Sequence, residues 1–208
     1  MGQVYRIVNL TKRETIENAH YCKLMEFSWV GNDITQTLAR LMEDEWAGDS
    51  VVVVGDYAWS DTHGSDVLTT LGKRENIKRK RDPYDNELSY DFFNKKLFPF
   101  KEIQAEKEST DYYDKLYFLN LDEKLYVDRT KLPITDFYLD PKYGEIFHFV
   151  EPITLLLSVG NGLGGGDYWS EDGSEEYVGD WALDRCKTSD TIPDGFSEFV
   201  PNFLEKYC

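Results

Sequence analysis

Cysteine, histidine and methionine are each present only three times in 208 residues. The cysteines, Cys22, Cys186 and Cys208, are odd in number, far apart and never in a C-x-x-C pair. That spacing argues against a disulfide framework and against a structural zinc site, and fits reduced thiols in a cytoplasm. The histidines, His20, His63 and His148, are just as scattered. Long apolar runs are missing too. Val51–Val54 and Ile153–Val159 have the length of strands, well short of the ~20 residues a membrane helix needs. The opening Met1-Gly2-Gln3-Val4-Tyr5-Arg6 turns polar at once and does not read as a signal peptide.

Positive charge is scarce as well. Lys and Arg number 23 against 39 Asp and Glu, a formal net charge of −16. Binding nucleic acid or an anionic membrane requires basic surface to meet phosphates, so both partners are disfavoured. The one strongly basic stretch, Lys73 to Arg81, carries six bases and one acid, and reads as an exposed loop rather than a nucleic-acid contact. The acids concentrate at the other end, with eleven acids and three bases from Asp167 to Cys208. Acidic surface steers toward basic partners, and it also simply solubilises.

Apolar residues make up 41% and aromatics 15%. That is enough surface to bury a core, so the composition excludes an intrinsically disordered chain.

A weak internal repeat organises the rest. Tyr5-Arg6-Ile7-Val8-Asn9-Leu10 matches Leu116-Tyr117-Phe118-Leu119-Asn120-Leu121, each an apolar run closing on Asn-Leu. Val30-Gly31-Asn32 matches Val159-Gly160-Asn161, and Trp46-Ala47-Gly48-Asp49 matches Trp181-Ala182-Leu183-Asp184. The order of the three landmarks is the same in both places. The expected fold is therefore α+β, a mixed or antiparallel sheet from two related halves with few helices. Residues 1–58 form the first half, 59–114 a polar charged insertion or lid, and 115–208 the second half with a C-terminal extension. Strands are expected at Val4–Leu10 and Leu116–Leu121. Ile34, Leu38, Leu41 and Met42 share one face of a helix over 34–44, capped by Asn32 or Asp33. Val51–Val54 and Ile153–Val159 read as strands buried on both faces. Ser197–Lys206 reads as a short helix interrupted by Pro201.

No catalytic set emerges. The glycine-rich loop Gly160 to Gly166 follows an apolar run, as a phosphate cradle would, but Asp167, Glu171 and Asp172 come next and would repel phosphate. Its acidic sequel lacks the EF-hand spacing. Asp56 and His63 after Val51–Val54 do not complete a two-metal site. Cys22 has His20 and Lys23 nearby, yet their side chains diverge on either a helix or a strand. No cofactor follows from these motifs.

Several motifs together resemble a family of uncharacterised proteins from bacteria and their phages. They are the Met1-Gly2-Gln3 start, Lys23-Leu24-Met25-Glu26-Phe27-Ser28-Trp29-Val30-Gly31-Asn32, Trp46-Ala47-Gly48-Asp49, Val54-Gly55-Asp56-Tyr57, the loop from Gly160 to Tyr168 and Gly179-Asp180-Trp181-Ala182. The resemblance spans most of the chain outside residues 60–114 and carries over no catalytic residue.

The expected function is that of an acidic cytoplasmic binding or sequestering protein with a basic protein partner, as in toxin immunity or phage counter-defence. The alternative is an enzyme handling a small molecule or nucleotide in a cleft between the halves. Candidate binding residues are Asn32, Asp49, Asp56, Asn161, Gly164, Gly165, Asp167, Glu171, Asp172, Glu175, Glu176 and Asp184.

Overall fold

The computed structural model describes residues 4–16, 23–30, 32–55, 100–104, 116–131, 137–139, 146–148, 150–159, 168 and 177–201. Within them the first half runs β1 (Tyr5–Asn9), β2 (Glu14–Ile16), α1 (Leu24–Phe27), α2 (Asp33–Leu41), β3 (Asp49–Gly55) and β4 (Lys101–Ile103). It continues with β5 (Tyr117–Asn120), β6 (Leu125–Asp128), a 3-10 turn Arg129–Lys131, β7 (Phe137–Leu139), β8 (Ile146–His148), α3 (Pro152–Leu156), β9 (Ser158–Val159), β10 (Arg185–Ser189) and β11 (Ser197–Glu198). The fold is α+β, a mixed nine-stranded sheet with three helices among the described residues. Strands β7 and β8 form a separate antiparallel pair.

The main sheet reads the same from its middle outward in both directions. Its order is β11-β6-β5-β10-β3-β1-β2-β4, with β9 alongside β3. The central contact is an antiparallel pairing of β3 with β10, Ser50 opposite Arg185. On one side Asn9 lies opposite Val51 and Glu14; on the other, Asn120 lies opposite Cys186 and Leu125. The edges match as well. β4 adds parallel to β2 through Glu14 and Lys101, and β11 adds parallel to β6 through Leu125 and Ser197. β4 falls inside the span 59–114 read from sequence as an insertion, and serves as the first half's edge strand.

The helices obey the same relation. Trp46 N–H donates to Leu41 C=O at 2.6 Å, and Trp181 N–H to Leu156 C=O at 2.9 Å. The halves also exchange bonds. Val53 of β3 donates to Leu157 beyond α3 at 2.9 Å, and Thr188 of β10 donates to Met42 beyond α2 at 3.1 Å. This assigns α2 to α3 and moves one landmark. Val30 precedes α2, whereas Val159 follows α3 as part of β9, so the two Val-Gly-Asn stretches sit at different points of the topology. The Asn-Leu and Trp-Ala landmarks do coincide. Four residues lie between Leu41 and Trp46 against twenty-four between Leu156 and Trp181, so the second half carries its extra chain there.

Two expectations from sequence fail. Ile153–Val159 is not a strand: its first part is helix α3, and only Ser158–Val159 pairs with β3. All five residues of α3 are buried, Thr154 included, so the helix has no exposed polar face and no period to reveal it. Pro152 occupies the first turn, where its missing N–H costs nothing. Ser197–Lys206 does not begin as a helix, because Ser197–Glu198 pairs with β6. α2 spans Asp33–Leu41, close to the expected 34–44, and Asn32 is its cap. Val51–Val54 is a fully buried strand, as its β-branched run implies.

One sheet face carries the larger core. Ile7, Val51, Val53 and Phe118 meet Leu24, Phe27, Ile34, Leu38, Leu156, Trp46 and Trp181 there. Val8, Val52 and Val54 form a smaller cluster with Val159. An ion pair lies inside: Arg129 Nη2 is 3.0 Å from Glu151 Oε2, with side chains 2% and 1% exposed. It ties the end of β6 to the cap of α3, whose Glu151 N–H also reaches Ser28 C=O at 2.7 Å.

Two predictions follow from this packing. Trp46→Ala and Trp181→Ala should each cost about 3–5 kcal/mol in denaturant melts, since both rings are buried in the shared core; a loss below ~1 kcal/mol would contradict that placement. Glu151→Ala should cost about 3–5 kcal/mol by taking its carboxylate from the buried Arg129 guanidinium, and Glu151→Ala combined with Arg129→Met should recover part of the loss. A double variant no more stable than the single would refute the pairing energetics.

Candidate functional site

The recurring polar residues converge at the centre of the sheet, where they form two matching clasps. In the first, Asn9 Oδ1 accepts from Thr11 N–H and Lys12 N–H at 2.9 Å each, and its Nδ2 donates to Asp49 Oδ2 at 2.8 Å. In the second, Asn120 Oδ1 accepts from Asp122 and Glu123 N–H at 3.0 Å each, and its Nδ2 donates to Asp184 Oδ2 at 2.7 Å. Asparagine suits the position because its short amide accepts two backbone N–H groups at Oδ1 while a separate atom, Nδ2, donates to the carboxylate. Each clasp closes a hairpin whose last turn residue is left-handed, Arg13 at φ 59° and Lys124 at φ 57°. The turn before each aspartate also has a left-handed residue, Gly48 at φ 76° and Leu183 at φ 78°. Leucine there bears strain that glycine avoids.

A third bond extends the match. Ser50 N–H donates to Thr11 Oγ1 at 3.1 Å, and Arg185 N–H donates to Asp122 Oδ2 at 2.8 Å. The chemistry then diverges. Thr11 and Ser50 in the first half are replaced by Asp122 and Arg185 in the second, where the guanidinium also donates to Asp122 Oδ1 at 2.6 and 2.8 Å. Lys12 lies 3.8 Å from Asp49, whereas its counterpart near Asp184 is Glu123.

These replacements set opposite electrostatics on neighbouring carboxyls. Hydrogen bonds from Arg185 hold the Asp122 carboxyl below the usual range. Burial raises Asp184 above it, and the charges of Asp122 and Glu123 add to the rise despite the bond from Asn120. Burial also pushes the Cys186 thiol well up, with Asp184 and Asp122 adding to it, so this cysteine is an inert core group.

Of the residues singled out from sequence, Asp49 and Asp184 take matching places in the two clasps. Asn32 is elsewhere: it caps α2, accepting from Thr35 N–H at 2.7 Å and donating to Phe27 and Trp29 C=O at 2.7 Å. Asp56, Asn161, Gly164, Gly165, Asp167, Glu171, Asp172, Glu175 and Glu176 lie outside the described residues. Asn9 and Asn120, which organise the clasps, were visible as the ends of the Asn-Leu landmarks but not singled out. The Arg129–Glu151 pair left no signal, since nothing in the sequence joins two charges 22 residues apart. Among the described residues no group of three or more His, Cys, Asp or Glu could hold a metal ion. No helix of the described residues is long and apolar enough to cross a membrane.

No protein-family model matches the chain, and neither a curated protein nor a solved structure matches it. No activity, ligand or partner is therefore carried to it by similarity.

The Asp184 shift gives a signed prediction. Its folded pKa is raised, so between the unfolded value and the folded one the native state holds the extra proton. Stability then falls as pH rises through that window, and the penalty persists above it. Asp184→Asn keeps an oxygen for Asn120 and should abolish this component, flattening the melting-temperature profile just above the ordinary aspartate range. An unchanged slope in the variant would remove Asp184 as its source.

Proposed function

We propose that the chain is a binding protein that captures a basic protein partner on its acidic surface, as a sequestering or inhibitory protein does. The observation that carries this reading is where α2 leaves its acids. Glu43, Asp44 and Glu45 follow the cap residue Met42, at the helix end whose exposed carbonyls already carry partial negative charge. Acids there oppose the helix, and only Arg40 in the last turn offsets them. Asp44 and Glu45 are exposed, and neither side chain has a partner among the described residues. Residues that break a local stability rule mark places where something other than folding sets the choice. The exposed carboxylates of Asp44 and Glu45 raise the local concentration of a basic partner and speed its association.

Support also comes from the landmarks. A cleft enzyme would need Asn32, Asp49 and Asp184 free for substrate, and each is spent on hydrogen bonds within the fold. Function as toxin immunity or phage counter-defence belongs to this same reading, with a basic toxin or host factor as the captured partner.

The test is affinity capture from bacterial lysate at low and moderate salt, with mass spectrometry, using wild type and an Asp44→Asn, Glu45→Gln variant. The wild type should retain basic proteins. Exposed charge acts over ~10 Å at 0.1 M salt, so their association rate should drop severalfold with added salt and in the variant. Because both side chains are exposed, melting temperature should stay within about 2 °C. Capture that ignores both salt and the substitutions would overturn the reading.

A further inference from the structure

The two edges of the sheet are built alike. At β4, Lys101 N–H donates inward to Arg13 C=O at 2.9 Å; at β11, Ser197 N–H donates to Lys124 C=O at 3.0 Å and Phe199 N–H to Tyr126 C=O at 2.7 Å. Backbone groups alternate sides along a strand, so Glu102 and Glu198 turn their N–H and C=O away from the sheet. Among the described residues, the outward main-chain groups of Glu198 and Val200 are thus left without a strand partner.

The surroundings of that edge select an occupant. Residues 190–200 contain Asp190, Asp194 and Glu198 and no Lys or Arg. Ile192 and Val200, each 37% exposed, are the exposed large hydrophobics of the described residues. A second copy paired edge to edge would bring two such acidic segments together, which is unfavourable. A basic strand with intervening apolar residues would meet complementary charge and cover Ile192 and Val200.

Resting on the binding function proposed above, we propose that the outer edge of β11 is a strand-addition site for an extended partner segment in which Lys or Arg alternates with β-branched residues. The backbone of Glu198 supplies the pairing groups, and the acids of 190–198 supply selectivity. Main-chain bonds give affinity in such a mode, and alternate side chains give specificity. Glu198, ion-paired with Lys131 in the free protein, exchanges that lysine for a cation of the incoming strand.

The decisive variant is Glu198→Pro. Proline removes an N–H that β6 does not use, a change tolerated on an edge strand, but it blocks addition of another strand. Twelve-residue peptides displayed as a library would be selected on the full-length protein and their affinities measured. Selected peptides should alternate basic and β-branched residues and bind Glu198→Pro about tenfold or more weaker. They should also bind Glu198→Lys more weakly and protect the Glu198 amide from hydrogen exchange. If proline disturbs the fold, the same loss must appear on wild-type protein with peptides N-methylated at alternate amides. Equal binding to wild type and Glu198→Pro, full binding by the N-methylated peptides, or a selection without basic alternation would each overturn the proposal. Lysate capture that survives Glu198→Pro but is lost in Asp44→Asn, Glu45→Gln would sink the edge alone and leave the acidic binding reading standing.

Discussion

Everything in the main sheet depends on one short antiparallel contact, Ser50 against Arg185. β3 and β10 overlap there only at their beginnings and then run apart, each into its own half. Two residue pairs could not hold such a joint. It is reinforced by crossing bonds: Val53 donates to the end of the second half's helix and Thr188 to the end of the first's. Thr188 Oγ1 adds a bond to Ala39 C=O at 2.6 Å, and Ser50 Oγ one to Leu183 C=O at 2.8 Å. Each half thereby completes a neighbour's helix terminus with its own strand, satisfying carbonyls that a helix end leaves unpaired. The two tryptophans sit beneath the joint, and Trp181 packs against Phe118 and Phe199.

The clasps explain why asparagine and aspartate recur without any need for catalysis. Near the joint the chain turns sharply four times, and each turn has a left-handed residue. The asparagine side chain takes the place of the missing ladder partners, and the aspartate fixes the amide's orientation. Once that scaffold is secured, the positions around it are free to vary. Where the first clasp has Thr11, Lys12 and Ser50 the second has Asp122, Glu123 and Arg185, so a neutral clasp is matched by an acidic one that keeps the asparagine bonds and adds those of the Arg185 guanidinium.

Much of this was legible in the sequence, and the failures have physical reasons. The Asn-Leu hairpins and the Trp turns could be read because their turn chemistry is local: an asparagine, a left-handed position and a tryptophan at fixed offsets. Val51–Val54 was legible because four β-branched residues admit few other structures. α3 was not, since Pro152 through Leu156 are buried on every side and a helix without a polar face has no signature. β4 and β11 were missed because two or three residues become a strand only by pairing with β2 and β6, information held elsewhere in the chain. Their shared pattern, Phe100-Lys101-Glu102-Ile103 and Phe196-Ser197-Glu198-Phe199, was present but too short to stand out. Val159-Gly160-Asn161 misled for the opposite reason, being a likeness of letters at positions with different neighbours.

The crossed helix ends also bear on how the chain is made. Synthesis delivers the first half long before the second, yet Val53 finds its acceptor only after Leu157 has emerged, and the bond from Ser50 Oγ to Leu183 spans 133 residues. Thr154 Oγ1 reaches back 127 residues to Phe27 C=O. Closing loops of that length must precede the contacts that reward it, which slows folding and leaves the edge of β3 uncovered in the meantime. A nascent chain halted after Gly55 would hold its most β-prone stretch, Val51–Val54, with one side unpaired. Because the halves finish each other, assembly from the ribosome is a single late event rather than two successive ones.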